Sequence, residues 1–276
     1  MTSLFPVDLR FSGVERAIGV YVLDCPGGPL LFDCGPSTTL PRLEEGLREC
    51  GVELREIRHL LLSHIHLDHA GAAGAIVRKH PDLTVWVSEI GAPHLVDPSR
   101  LERSARRLYG ESFDALWGEL APVPEANVRI AAGDVLGWDV FPAPGHASHH
   151  VCYVRDGTLL AGDACGVRIE PSRYVLPVSP PPDIDVEAWH ATIAEIERRA
   201  PERLALIHFG IETEVADHLA RLDAELDRWA ARVRDGMGLE EFVAAGRADA
   251  GADAELYDKV ASYSQSWQGL RRYFGF

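Results

Sequence analysis

Residues 63–69 read Ser63-His64-Ile65-His66-Leu67-Asp68-His69, and no other stretch narrows the folds open to this chain so far. An apolar run at 57–62 precedes it with the composition of a buried strand, and residues 70–77, rich in alanine and glycine, read as the start of a helix. If the strand continues to Leu67, its period of two carries His64, His66 and Asp68 to one side, and the turn into the helix brings His69 to the same neighbourhood. Three imidazoles and a carboxylate at the mouth of a strand are the borderline donors that Zn²⁺ and its neighbours favour. The competing reading is a polar loop of solvated histidines, and what weighs between the two lies downstream.

A chain of 276 residues buries a sizeable core as one large domain or two small ones, and 46% apolar with 25% charged residues describes an ordinary globular protein. The net charge of −15 argues against a broad nucleic-acid or anionic-membrane surface. Neither a charged-then-apolar leader nor an apolar run of membrane-spanning length is found, so a cytoplasmic location with no membrane partner is expected. Cys25, Cys34, Cys50, Cys152 and Cys165 form no C-x-x-C pair, which points to reduced, mostly buried thiols.

In chain order, residues 17–24 and 29–34 read as a hairpin around Pro26-Gly27-Gly28. Residues 39–50 read as a helix with Gly51 as its C-cap; the helix after the histidine motif stops at Pro81, and 83–87 is a buried strand. Residues 88–117 have a helical pattern interrupted at Pro93 and Pro98; Arg100, Arg103, Arg106, Arg107 and Tyr109 read as a solvated face, with a substrate lid as the rival. Strands are expected at 128–132 and 138–141, then a second hairpin, 151–154 and 158–161, around Asp156-Gly157. A helix at 186–200 and a strand at 204–207 follow. From Glu212 the chain turns to long amphipathic helices, ending near Arg234 and restarting at 240 and 252. Leu219, Leu222, Leu226 and Trp229 form a core-facing stripe, read as a helical extension packing on the main body, with a homodimer contact as the rival. The two hairpin-then-helix halves suggest a duplicated architecture.

His146, Asp163 and His208 each stand just past an expected strand, beside Gly145, Gly162 and Gly210. Side chains so placed converge on one edge of a sheet, where rigid elements hold them. The motif H-x-H-x-D-H at His64, His66, Asp68 and His69, followed by P-G-H at His146, G-D-A at Asp163 and a last strand-end His208, resembles the metallo-β-lactamase-fold superfamily over residues 17–210. That resemblance implies an α/β fold, the four-layer αββα sandwich, here residues 1–210, with 211–276 as a C-terminal helical extension. It implies two divalent ions, zinc with iron or manganese as alternatives. His64, His66 and His146 would bind the first and Asp68, His69 and His208 the second, with Asp163 bridging. Ser63 and Asp33 would support the ligands, and His150 matches a second histidine of the glyoxalase-II-like branch. Of His149 and His150, one is expected to donate a supporting hydrogen bond and the other to face solvent. His59, His80, His94, His190 and His218 read as ordinary surface or core residues.

With two ions at +4 and two carboxylates at −2, such a site would hold a bridging hydroxide for attack on a carbonyl or phosphoryl centre, with Asp68 orienting it or relaying its proton. Cys165 reads as a small buried thiol rather than a nucleophile. The function expected is hydrolysis of a small ester, thioester or lactone. Arg168, Arg173 and Tyr174 are the residues expected to meet the substrate. The tyrosine that quorum-quenching lactonases carry soon after the bridging aspartate is missing from Asp163-Ala164-Cys165-Gly166, and Asp163 argues against a true β-lactamase. The alternatives are a mononuclear-iron persulfide dioxygenase and, disfavoured by the acidic charge, a phosphodiesterase or nuclease.

Overall fold

The computed structural model describes residues 4–25 and 27–276, and its chain divides into two compact units, 1–142 with 151–156, and 143–150 with 157–276. The first contains β1 (Leu4–Asp8), β2 (Gly19–Leu23), β3 (Leu30–Phe32), α1 (Leu40–Glu49), β4 (His59–Leu61), α2 (Leu67–Ala70), α3 (Ala73–Lys79) and β5 (Thr84–Val87). It continues through α4 (Ala92–Val96), α5 (Ser99–Tyr109), α6 (Phe113–Trp117), β6 (Val128–Ile130), β7 (Gly133–Val135), β8 (Trp138–Pro142) and β9 (Val151–Arg155). The second contains β10 (Thr158–Gly162), α7 (Val186–Arg199), β11 (Arg203–Leu206), β12 (Gly210–Glu212), α8 (Val215–Arg234), α9 (Leu239–Ala250), α10 (Ala254–Val260) and α11 (Tyr263–Tyr273).

The first unit holds the six-stranded mixed sheet β1-β2-β3-β4-β5-β6 and the antiparallel run β7-β8-β9, and the second holds β10-β11-β12, with β10 parallel and β12 antiparallel to β11. In the first, β1 to β3 are antiparallel and β3 to β6 parallel, and the central strands β2 and β3 are buried at every residue. Such continuous apolar runs are what strands covered on both faces require. The expected first hairpin is present as β2 and β3, although Pro26 lies outside the described residues. Asp156 and Gly157 have φ of 49° and 70°, the left-handed pair that a two-residue Asp-Gly turn adopts.

The strand before the histidine motif is shorter than expected. β4 ends at Leu61 rather than reaching Leu67, because the Ser63 backbone N–H turns to the Asp33 carboxylate instead of a neighbouring strand. The alternation inferred for His64, His66 and Asp68 therefore does not apply; they lie on a loop and on α2. Pro93 opens α4 rather than interrupting a helix, and the helix expected from 252 is two helices, parted at Ala261, which is extended. Strands β1, β7 and β12 have no counterpart among the expected elements.

In the second unit, α8 buries Leu219, Leu222, Leu226 and Trp229 as the spacing predicts. The Trp229 ring meets Phe242 of α9 edge-on at 4.9 Å and Tyr263 of α11 at 5.9 Å. These aromatic contacts knit the C-terminal helices into one apolar cluster. No helix among the described residues is long and apolar enough to cross a membrane.

Candidate metal centre

In the first unit the loop after β4 is fixed from both sides. The Ser63 carbonyl accepts from Val151 N at 2.8 Å and the Leu62 carbonyl from the Tyr153 hydroxyl at 2.9 Å. Leu67, between two of the donors, is buried with Ala105 of α5 and with Phe113 and Trp117 of α6. Residues 88–117 thus press on the motif with their apolar side, while Arg100, Arg103, Arg106 and Arg107 face solvent as a hydrated surface.

Beneath the imidazoles sits Asp33, fully buried and in the left-handed region at φ 55°. Its carboxylate accepts from Ser63 N at 2.8 Å, from the Ser63 hydroxyl at 2.7 Å and from His69 Nδ1 at 2.8 Å. Burial pushes this carboxyl up from its ordinary value, and the His69 and Ser63 donors oppose that push. The Ser63 oxygen, its proton given to Asp33, accepts from His64 Nδ1 at 2.9 Å. Both His64 and His69 therefore carry their proton on Nδ1 and present Nε2 with its lone pair. His64 Nε2 lies 2.9 Å from His66 Nδ1, and His69 Nε2 lies 3.6 Å from an oxygen of Asp68.

In the second unit Asp163, just past β10, places one carboxylate oxygen 3.4 Å from His146 Nε2 and the other 3.5 Å from His208 Nε2. These separations are too long for hydrogen bonds. Two donors each ~2.1 Å from one tetrahedral ion stand roughly 3.4 Å apart, so the spacing is that of ligands sharing a cation. His146 Nδ1 donates to the Val178 carbonyl at 2.7 Å, which again leaves Nε2 as the lone pair. Gly145 sets this histidine's position at φ 129°, where a Cβ would come within 2.4 Å of Trp189 Cα. His150 Nε2 accepts from Asp163 N at 3.1 Å, holding the aspartate's backbone. His149 and His150 are both buried, so the expectation that one faces solvent is not met.

Among the described residues, the side chains that could hold a metal ion are His64, His66, Asp68 and His69 in the first unit and His146, Asp163 and His208 in the second. All are imidazole or carboxylate, with lone pairs directed by Asp33, Ser63 and Val178, and this chemistry fits a zinc-type divalent ion. Cys165 is buried and its thiol is pushed well up by burial, which removes it as a nucleophile.

The residues expected to meet substrate are placed as follows. Arg168 is half-buried in an ion pair with Glu212, and Arg173 is exposed and pairs with Asp217 at 2.6 Å. Tyr174 stacks edge-on against Tyr257 at 5.2 Å. His218, read as an ordinary residue, is buried and donates from Nε2 to the Cys165 carbonyl at 2.8 Å.

Burial holds His218 neutral by lowering its pKa; the hydrogen bond to the Cys165 carbonyl and the charges of Glu212 and Asp217 oppose this, and Arg168 adds to it. The folded protein resists a proton that the unfolded chain accepts near pH ~6.5, so this contribution to stability is complete above that pH and is lost on acidification through the lowered folded value. The thermal midpoint is expected to fall from pH 7 to pH 5, and His218→Gln, which keeps a donor without the titration, to fall less over the same range. Equal slopes would remove His218 from the account.

A sequence profile of the metallo-beta-lactamase superfamily matches residues 15–211. The chain belongs to the metallo-β-lactamase superfamily. With membership comes the fold expected from the sequence, the α/β αββα sandwich with C-terminal helices. The archaeal superfamily protein ST1585 of Sulfurisphaera tokodaii is 22% identical over 219 residues, 71% of this chain and 82% of that one. Its crystal structure matches with a TM-score of 0.69 at 19% identity, covering 98% of both chains. The metallo-β-lactamase family protein TTHA1429 of Thermus thermophilus gives a TM-score of 0.72 at 20% identity, covering 99% of this chain and 92% of that one. The superfamily profile stops at residue 211, yet these matches run through nearly the whole chain, so the C-terminal helices belong to the shared fold. A hydroxyacylglutathione hydrolase of Alkalilimnicola ehrlichii is 28% identical over 122 residues, 44% of this chain and 37% of that enzyme.

Proposed function

We propose that this superfamily hydrolase cleaves a small ester, thioester or lactone with two divalent ions, preferably zinc, in the manner of the glyoxalase-II-like branch. His64, His66 and His146 would hold one ion, Asp68, His69 and His208 the other, and Asp163 would be shared. The observation that carries the reading is the Asp163 carboxylate, whose two oxygens face two different imidazoles at 3.4 and 3.5 Å. A carboxylate needed by one ion alone has no reason to divide its oxygens in this way. The distant likeness to hydroxyacylglutathione hydrolase favours a thioester within the substrate class.

Held by these residues, the ions would supply Lewis acidity, lowering the pKa of a nearby water and favouring negative charge that develops on the substrate. The chain's own part is orientation and proton handling. Asp33 and Ser63 keep His64 and His69 in the tautomer that offers Nε2, Val178 does so for His146, and His150 steadies Asp163. Asp68, the less buried carboxylate, is the group that orients the attacking water and takes its proton. Of the three residues expected at the substrate, Arg173 has the exposed head, and an anionic substrate would have to displace Asp217 from it.

Metal analysis of freshly purified protein, paired with a panel of thioesters, lactones and phosphodiesters, tests the proposal. Two ions per chain and turnover confined to acyl substrates are expected, with loss on chelation and recovery on adding zinc. One iron per chain with oxygen uptake on a persulfide would replace hydrolysis by dioxygenation, and turnover of phosphodiesters alone would move the substrate class.

A further inference from the structure

Residues 164–179, between β10 and α7, form no named strand or helix; Val167 and Leu176 make an isolated bridge. Yet Ala164, Cys165, Val167, Ile169, Val175, Leu176 and Ser179 are all buried. A buried loop must find partners for its backbone polar groups. Here the C-terminal helices provide them. His218 of α8 donates to the Cys165 carbonyl at 2.8 Å. The Tyr257 hydroxyl of α10 accepts from Ile169 N at 3.1 Å and donates to the Tyr174 carbonyl at 2.7 Å. Ser266 Oγ of α11 accepts from Ser179 N at 3.1 Å. One helical turn on, Gly269 lies so close that a Cβ there would sit 2.0 Å from the Ser179 carbonyl oxygen.

The same strap touches every candidate ligand of the second unit. Gly166 N bonds the Asp163 carbonyl at 2.9 Å, and the Arg168 backbone brackets the His208–Phe209 peptide, donating to His208 O at 2.7 Å and accepting from Phe209 N at 2.9 Å. Arg168 is tied in turn to Glu212 of β12 and, through Nε, to the Ser172 carbonyl at 3.1 Å. Val178, which fixes the tautomer of His146, is the residue before Ser179.

We infer that the C-terminal helices act as a brace for the metal ligands, with His218, Tyr257, Ser266 and Gly269 as positioning residues that pin strap 164–179 and through it set His146, Asp163 and His208. The inference rests on the assignment of those three residues as ligands. Gly269 is its sharpest probe, because its close neighbours are the backbone of Ser179, Pro180 and Pro181, which a methyl group must push aside. Moving Ser179 moves the Val178 carbonyl and releases His146. Gly246 of α9 serves as the control: the three atoms nearest a Cβ built there, the first at 2.8 Å, all belong to the Tyr263 ring and none to the backbone of the strap.

The test is titration of metal-free full-length protein with Co²⁺, read by the visible absorption of the bound ion, beside circular dichroism and a thermal midpoint. Gly269→Ala is expected to weaken cobalt binding by ~10-fold or more and to change the ligand-field spectrum, in the range typical for groups that support a ligand. Gly246→Ala should lower the thermal midpoint with binding and spectrum unchanged. Tyr257→Phe, which keeps the ring and loses both hydrogen bonds, should weaken cobalt binding in the same direction even if Gly269→Ala does not fold. Wild-type affinity and spectrum in Gly269→Ala or Tyr257→Phe, or equal weakening in both glycine variants, would overturn the brace while leaving the metal site standing. Wild-type protein that takes up no cobalt would overturn the metal site itself.

Discussion

Asp68→Ala is expected to abolish ester and thioester turnover while the protein stays folded. Asp68 sits on the short helix α2 with its carboxylate partly exposed, 3.6 Å from His69 Nε2, and its removal opens no apolar cavity. The fold therefore loses little, at most about 1 kcal/mol, which is what a carboxylate in the first turn of a helix is worth. The proposed reaction loses much: one proposed ligand of an ion and the group proposed to orient water and take its proton disappear together. A proton-transfer group alone is worth about 10²–10⁴-fold, so a fall of kcat by about 10³ or more, roughly 4 kcal/mol, is the expected result. Asp68→Asn separates the two roles, because it keeps a ligand oxygen and loses the base. Steady-state kinetics on a thioester, beside metal stoichiometry and circular dichroism, read all three. Unaltered turnover in Asp68→Ala would remove Asp68 from the chemistry and leave a metal-binding protein without the proposed catalyst.

The donors are legible in the sequence because imidazole and carboxylate announce their chemistry by residue type. His146, Asp163 and His208 stand a few residues after the ends of β8, β10 and β11, beside glycines, as their spacing predicts. What orients them is far less legible. The proton position on His146 is set by the backbone carbonyl of Val178, and every residue has a carbonyl, so no side-chain pattern marks it. Arg168 reads as a substrate group because sequence shows its charge but not its partner Glu212, 44 positions away. The end of β4 is hidden for a related reason: no glycine or proline marks a break in residues 62–67, and a tertiary hydrogen bond from Ser63 N to the Asp33 carboxylate overrides the strand propensity. Strand β1 carries Pro6 at its middle, and β7 and β12 each begin at a glycine, residues that read against a strand. The helices are plainer, because the stripe Leu219, Leu222, Leu226 and Trp229 repeats over enough turns to fix both the element and its buried face.

Asp33→Ala tests how far the metal ligands depend on what lies beneath them. Three buried donors converge on this carboxylate, Ser63 N, Ser63 Oγ and His69 Nδ1, and alanine leaves all three without their acceptor. Each buried polar group so stranded costs about 1–3 kcal/mol, and alanine in the left-handed conformation held at φ 55° adds about 1 kcal/mol. Stability should therefore fall by at least about 3 kcal/mol, a drop of roughly 5–10 °C in thermal midpoint. Metal affinity should fall as well, by ~10–100-fold, because His69 and, through Ser63, His64 lose the bonds that fix their proton on Nδ1. Asp33→Asn is the discriminating companion. Asparagine accepts the left-handed backbone and fills the same space, but its amide nitrogen faces donors where an oxygen stood, so it should recover the strain and part of the stability without recovering the affinity. If Asp33→Asn bound metal as the wild type does, the carboxylate's charge would have no part in orienting the histidines and the fit of the cavity alone would suffice.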